Sequence, residues 1–164
     1  MIHNYQSPWF KEALELEGEL KINTLNSKEI SDICIVGGGY TGLWTALKIK
    51  EKNPKTNIII IEKDLCGSGA SGRNGGCMIP LSSKFPAMKK IVGTKDAVRM
   101  VKASEEAINK ISNYCKLNSF DPQIRINGIV YAATNNKHRG GFDNLINELK
   151  DNNINSWQRL PKEK

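Results

Sequence analysis

A chain of 164 residues suits one domain, and 39% hydrophobic with 25% charged residues is globular composition, which excludes a disordered or fibrous protein. The formal charge of +7 raises nucleic acid as a partner, but the lysines are scattered and no basic run is interleaved with aromatics, so the charge reads as a dispersed solvated surface. Cys34, Cys66, Cys77 and Cys115 form neither a C-x-x-C pair nor a metal spacing with His3 or His138, and there is no signal peptide or long apolar run; a soluble cytoplasmic protein with no metal and no membrane span is expected.

The chain opens with an arm, residues 1–30. It contains Ser7-Pro8-Trp9-Phe10 and then a weakly patterned short helix over 11–20 carrying Leu14 and Leu16. Trp9 and Phe10 are large apolar groups, and the arm is expected to dock them on the domain that follows. That domain begins with an apolar run, Ile33-Cys34-Ile35-Val36, leading directly into Gly37-Gly38-Gly39-Tyr40-Thr41-Gly42. Leu43, Ala46 and Leu47 recur at helical spacing until Asn53-Pro54 stops the helix, and residues 58–61 give a second buried strand ending at Glu62.

This is G-x-G-x-x-G in a βαβ context. Gly37 permits the tight turn off the strand, Gly39 has no Cβ to block a pyrophosphate, and Gly42 lets the helix pack close to the sheet. Phosphates then meet unsatisfied amides at the positive end of the helix. Glu62 falls about twenty residues past the last glycine, where a carboxylate accepts from an adenosine ribose and disfavours a 2′-phosphate. A glycine-rich turn in an ordinary α/β domain is the plain alternative, but strand, helix, second strand and terminal acid are all in register.

A second glycine-rich loop follows: Cys66-Gly67-Ser68-Gly69-Ala70-Ser71-Gly72-Arg73-Asn74-Gly75-Gly76. A nicotinamide site has no need of it. Here the chain resembles the D-amino-acid oxidase (DAO) superfamily of FAD-dependent oxidoreductases, in which a G-A-S-G-R-N-G-G loop follows the second strand. It looks most like the γ-glutamylputrescine oxidoreductase-like members, which open around IVGGGYTGLWTAL. The resemblance is specific over residues 31–78 and looser, but continuous, beyond.

The resemblance implies FAD as cofactor, with the amides of Gly37, Gly38, Gly39, Tyr40, Thr41 and Gly42 lining its pyrophosphate and Glu62 holding the adenosine ribose. It implies too that Ser68, Ser71, Gly72, Arg73, Asn74 and Gly75 follow the pyrophosphate and ribityl chain. Arg73 suits a phosphate by its guanidinium geometry, against the plain reading of a solvated charge or helix C-cap partner. Lys63 reads as solvent-facing beside the adenine. Cys66 and Cys77 flank the loop, and only proximity speaks for a covalent flavin link.

Further on, residues 86–92 read as one or two helical turns. A longer helix then starts at Thr94 as N-cap, with Asp96 in its first turn and Ala97, Val101, Ala107, Ile108, Ile111 and Cys115 as an apolar stripe, and Met100 in the core. Residues 123–126 and 129–132 flank Asn127-Gly128 and read as a β-hairpin. Phe142, Leu145, Ile146 and Leu149 then place a helix over about 137–152, before Trp157 and Leu160.

The expected fold is α/β: a Rossmann-like FAD-binding βαβ domain of the glutathione-reductase/DAO type with the beginning of an α+β substrate domain, incomplete. Its parts are the arm at 1–30, the βαβ unit and second loop at 31–92, and helix, hairpin and helix at 93–164. The function implied by the resemblance is oxidation of a C–N bond of an amine or amino acid by hydride transfer to flavin N5. Family members are more than twice as long, so the substrate clamp and flavin-ring contacts are expected in absent sequence and no catalytic residue is named. A dinucleotide-binding subunit completed by a second chain, and a non-catalytic remnant, are the alternatives. A lone βαβ unit leaves sheet edges and faces uncovered.

Overall fold

The computed structural model describes residues 7–18 and 22–160; His3, Leu20 at the end of the expected N-terminal helix and residues 161–164 lie outside them. The chain divides into two compact units, 1–77 and 78–164, so that the second takes in residues 78–92.

In the first unit α1 (Pro8–Glu17) precedes β1 (Ile33–Val36), α2 (Tyr40–Lys52) and β2 (Ile58–Ile61). Ser7 caps α1, its Oγ accepting from the Phe10 amide at 3.2 Å, and Pro8 occupies the first turn, where its missing N–H costs nothing. The two strands pair in parallel, Ile33 opposite Ile58 and Val36 opposite Ile61. Parallel neighbours require a crossover, and α2 supplies it. The helix stops at Lys52 because Pro54 disfavours helical backbone at Asn53, whose amide still reaches Ile49 O at 2.8 Å. Register is set where the strands begin: Asp32 Oδ2 accepts from the Asn57 amide at 2.7 Å, and the Asn57 carbonyl accepts from the amides of Asp32 and Ile33.

Along β1 the half-buried Ile33 and Ile35 alternate with the exposed Cys34 and Val36, the last 84% exposed. β1 is therefore covered on one face and open on the other, whereas β2 is half-buried at Ile58, Ile59 and Ile60 alike. Among the described residues of this unit, Gly38 alone is buried.

The second unit has the apolar core. Its long helix α3 (Phe85–Leu117) is broken at Gly93, whose φ of 79° and ψ of 164° are not helical, so two helices meet there and the second starts at the expected Thr94. Phe85, Ala97 and Val101 of α3 bury against Leu145 and Leu149 of α4 (Asp143–Asp151) and against Ile154. The i, i+4 spacing of Ala97 with Val101 and of Leu145 with Leu149 puts each pair on one face. Trp157 packs on this core and donates from Nε1 to Ser82 Oγ at 3.0 Å, which satisfies a buried hydroxyl. It also stacks on Tyr131 at 4.9 Å between centroids, and Phe142 lies 5.1 Å from it.

Three sequence expectations are corrected here. Residues 123–126 and 129–132 form no strands. Gly128 takes a φ of 80°, but Asn127 is not among the residues with positive φ, and the two-residue hairpin turn that Asn-Gly favours needs both. Ile126, Ile129 and Val130 are all more than half exposed, so no buried face holds a pair of strands that is marginal by itself. The last helix begins at Asp143, not near 137, because Gly140 (φ 74°) interrupts it after a short 3-10 turn at Asn136–His138 capped by Asn135. Met100 is 37% exposed and outside the core.

Phe85 has no solvent-exposed surface. Phe85→Ala is expected to destabilise the second unit by about 3–5 kcal/mol through lost burial and the cavity left behind. Amide exchange in α4 as a function of denaturant reads this directly.

Candidate functional site

The first glycine loop is fixed by the strand ends beneath it. The Gly37 amide donates to Ile61 O at 2.8 Å, extending the ladder one residue past β1, and Gly37 then turns with φ at 103°. The chain folds back so closely that a Cβ on Gly42 would overlap the Gly37 carbonyl oxygen and lie 3.3 Å from Ile35 Cγ2. Glycine at 42 is thus what allows α2 to start directly over the end of β1. Among the described residues the amides of Gly39, Thr41 and Gly42 take no hydrogen-bond partner, which leaves three donors at the positive end of α2. Lys50 and Lys52 complement its other end.

Glu62, just beyond β2, faces this loop. Its Oε2 accepts from the Gly38 amide at 2.7 Å and its Oε1 from the Asp64 amide at 3.1 Å. The Gly38 amide, then that of Asp64, holds the Glu62 carboxyl below its ordinary value of 4.5 against a smaller opposing push from burial, with least help from the Lys63 amide and charge. An ionised carboxylate has about four acceptor positions, and the amides of Gly38, Asp64 and Lys63 leave capacity for a further hydroxyl.

The second glycine loop is stitched onto the first. The Gly67 amide donates to Gly38 O at 2.9 Å, and Ser71 Oγ accepts from the Tyr40 amide at 3.0 Å. A Cβ on Gly39 would stand 2.9 Å from Ser71 Oγ, and one on Gly38 would stand 2.5 Å from Cys66 Sγ. A 3-10 turn, Ala70–Gly72, carries Ser71 into this position.

The structure therefore brings together Gly37, Gly38, Gly39, Tyr40, Thr41, Gly42, Glu62 and Ser71. Ser68 is half-buried behind them, its amide on Leu65 O at 2.9 Å. Arg73, Asn74 and Gly75 are exposed. Arg73 Nε donates to Gly69 O at 3.3 Å, and the Asn74 amide group donates to Ser71 O at 2.7 Å while its oxygen accepts from the Gly76 amide, so both side chains brace their own loop. Lys63 is exposed. Sequence reasoning missed Cys66 as the neighbour of Gly38, and no spacing rule would have found it.

Trp9 and Phe10 do dock, and they dock on this loop. Trp9 Nε1 donates to Gly72 O at 3.1 Å, Ser7 Oγ donates to the same carbonyl, and Phe10 lies against Gly67 and Gly72.

Unpaired amides at a helix start, a backbone with no Cβ over it and a carboxylate with free acceptor positions fit the pyrophosphate and ribose of a dinucleotide. Residues 32–164 match the family described as FAD dependent oxidoreductase, DAO. The chain is 32% identical over 138 residues to gamma-glutamylputrescine oxidoreductase of Escherichia coli, covering 84% of this chain and 30% of that protein. It is 31% identical over 132 residues to the probable oxidoreductase OrdL of Haemophilus influenzae, covering 80% and 29%. Thiamine thiazole synthase of Coprinopsis cinerea is 31% identical over 86 residues, or 51% of this chain and 28% of that protein. The chain thus spans about 30% of the length of the Escherichia coli and Haemophilus influenzae relatives. No solved structure matches it.

The depressed carboxyl of Glu62 makes the loop pH-sensitive. Its folded value lies below 4.5, so the stabilisation is complete above about pH 4.5 and is lost as pH falls through the lowered value. Glu62→Gln is expected to flatten that acid limb, read as amide exchange at Gly38 and Asp64 in the wild type and variant across the same pH range.

Proposed function

The chain belongs to the DAO family of FAD-dependent oxidoreductases, whose cofactor is FAD, and from this we propose that it is the FAD-holding part of an enzyme that oxidises a C–N bond of an amine or amino acid. The observation that carries the reading is the meeting of the two glycine loops, where Ser71 stands over the start of α2 and Glu62 is tied to Gly38.

In this reading the free amides of Gly39, Thr41 and Gly42 receive the pyrophosphate, with Gly37, Gly38 and Tyr40 shaping the turn that presents them. Glu62 accepts from the adenosine ribose. Ser71 gives up its bond to the Tyr40 amide or shares it with a phosphate oxygen, and Ser68, Gly72, Arg73, Asn74 and Gly75 carry the cradle onward along the ribityl chain. Arg73 has donors beyond the Nε used on Gly69, and its exposure leaves them available to an anion. FAD, when bound, supplies the acceptor for hydride from the carbon bearing the amine nitrogen. The likeness to gamma-glutamylputrescine oxidoreductase supports an amine as the substrate class.

The residues that clamp the substrate are assigned to sequence outside this stretch. Two observations support that: the open sheet face bearing Cys34 and Val36, and the 30% coverage of the relatives. A Rossmann-like sheet buries both faces, so helices belong over the open side of β1 and further strands at the sheet edges, from additional sequence or from a second chain. The spacing of the four cysteines supports a reducing, cytoplasmic setting.

The test is the visible absorption of the purified chain after FAD is added and the excess removed. Retained flavin is expected from the wild type. Gly39→Val, which puts a branched side chain on Ser71 and over the pyrophosphate path, is expected to retain none. Stoichiometric flavin in that variant would sink the assignment.

A further inference from the structure

We infer that α1 is a clasp on the second glycine loop, and that Ser7, Trp9 and Phe10 are positioning residues that hold the loop in its receiving shape before a dinucleotide arrives. The inference rests on the FAD reading for what the loop receives, but the clasp itself is a property of the chain alone.

Three groups of α1 converge on one peptide. Ser7 Oγ and Trp9 Nε1 both donate to the Gly72 carbonyl. The amide on the other side of the same peptide plane, that of Arg73, donates to Ala70 O at 3.2 Å. The plane that links Gly72 to Arg73 is thus held at both ends. Phe10 closes the arrangement: its ring carbons lie 3.5 Å from where a Gly67 Cβ would stand and 3.0 Å from where a Gly72 Cβ would stand. Gly72 is consequently a glycine for the protein's own packing, since a side chain there would meet Phe10 and the Gly67 carbonyl. Next to Gly72 is Ser71, which reaches the Tyr40 amide. A continuous set of contacts runs from α1 through Gly72 and Ser71 to the start of α2.

The loop needs such a support. Residues 67–76 include five glycines, each with more backbone freedom to lose than any other residue. A ligand that binds only the ordered form loses apparent affinity in proportion to the fraction of time the loop is disordered. The converse also holds. At ten residues with none buried, α1 is too short to persist by itself, and its docking on the loop is what holds it. Loop and arm therefore stabilise each other, and by linkage a ligand that orders the loop must also hold the arm.

The experiment uses the whole chain and a double variant, Trp9→Phe with Phe10→Ala. This removes the indole donor and the ring over Gly67 and Gly72 and leaves both glycine loops intact. Amide exchange without FAD is measured first. Residues 67–76 are expected to exchange at least about tenfold faster in the variant, while 33–36 and 58–61 keep their wild-type rates, which shows that the βαβ unit is still folded. Equal exchange over 67–76 in both proteins would overturn the clasp, whatever the ligand. FAD titration, followed by quenching of flavin fluorescence, is then expected to give a dissociation constant about tenfold weaker for the variant. In the wild type, FAD should slow amide exchange across α1. A variant that binds FAD as tightly as the wild type would also overturn the clasp. If neither protein binds FAD while the loop exchange differs as expected, the clasp stands and the FAD reading fails.

Discussion

The 2.7 Å hydrogen bond from the Gly38 amide to the Glu62 carboxylate joins the end of β1 to the end of β2, and the site is built outward from that link. It fixes the residue after the Gly37 turn, so the chain must enter α2 at Tyr40, two residues on. Only a glycine at 42 lets the helix come down on the Gly37 carbonyl. With the turn held, the Gly38 carbonyl accepts from the Gly67 amide, and the second loop is hung from the first. A charge-assisted bond of this kind is stronger than a neutral one, and the lowered Glu62 carboxyl reflects it.

Much of this was legible because it is local. An apolar four-residue run, a glycine turn and a helix ended by Asn53-Pro54 each specify their own backbone, so β1, α2 and β2 fall where the residues put them. Thr94 was readable as a helix start because threonine favours the N-cap and Asp96 follows in the first turn, and the break at Gly93 falls beside it. The contacts that assemble the site were not legible. Cys66 against Gly38 and Ser71 on the Tyr40 amide join residues about thirty positions apart, and no periodicity encodes which loop residue meets which. Asn127-Gly128 shows the reverse failure. The dipeptide favours a hairpin turn, but Ile126, Ile129 and Val130 beside it are more than half exposed and offer no buried face to hold two strands together, and local preference does not prevail.

The two units are stabilised by different means. Residues 78–164 bury Phe85, Val101 and Leu149 completely, the ordinary hydrophobic solution. In residues 1–77 the described residues include one buried position, Gly38, and cohesion comes from hydrogen bonds between loops and strand ends together with the docked α1. Hydrogen bonds exchanged against water contribute little net stability each, so a unit built this way is stabilised substantially by whatever occupies its donors. The amides left unpaired at the start of α2 are thus also those whose pairing would make the unit firm.

The alternation along β1 has a consequence for the chain in concentrated solution. Cys34 and Val36 sit on the uncovered side of a parallel pair whose outer edges offer unpaired backbone donors and acceptors to any extended segment that approaches. Such a surface does not discriminate between partners by shape, since ladder pairing is a property of backbone. Edge-to-edge pairing between copies of this stretch is therefore a hazard that rises with concentration. Colloidal behaviour, more than melting temperature, is where the open edges of so short a sheet make themselves felt.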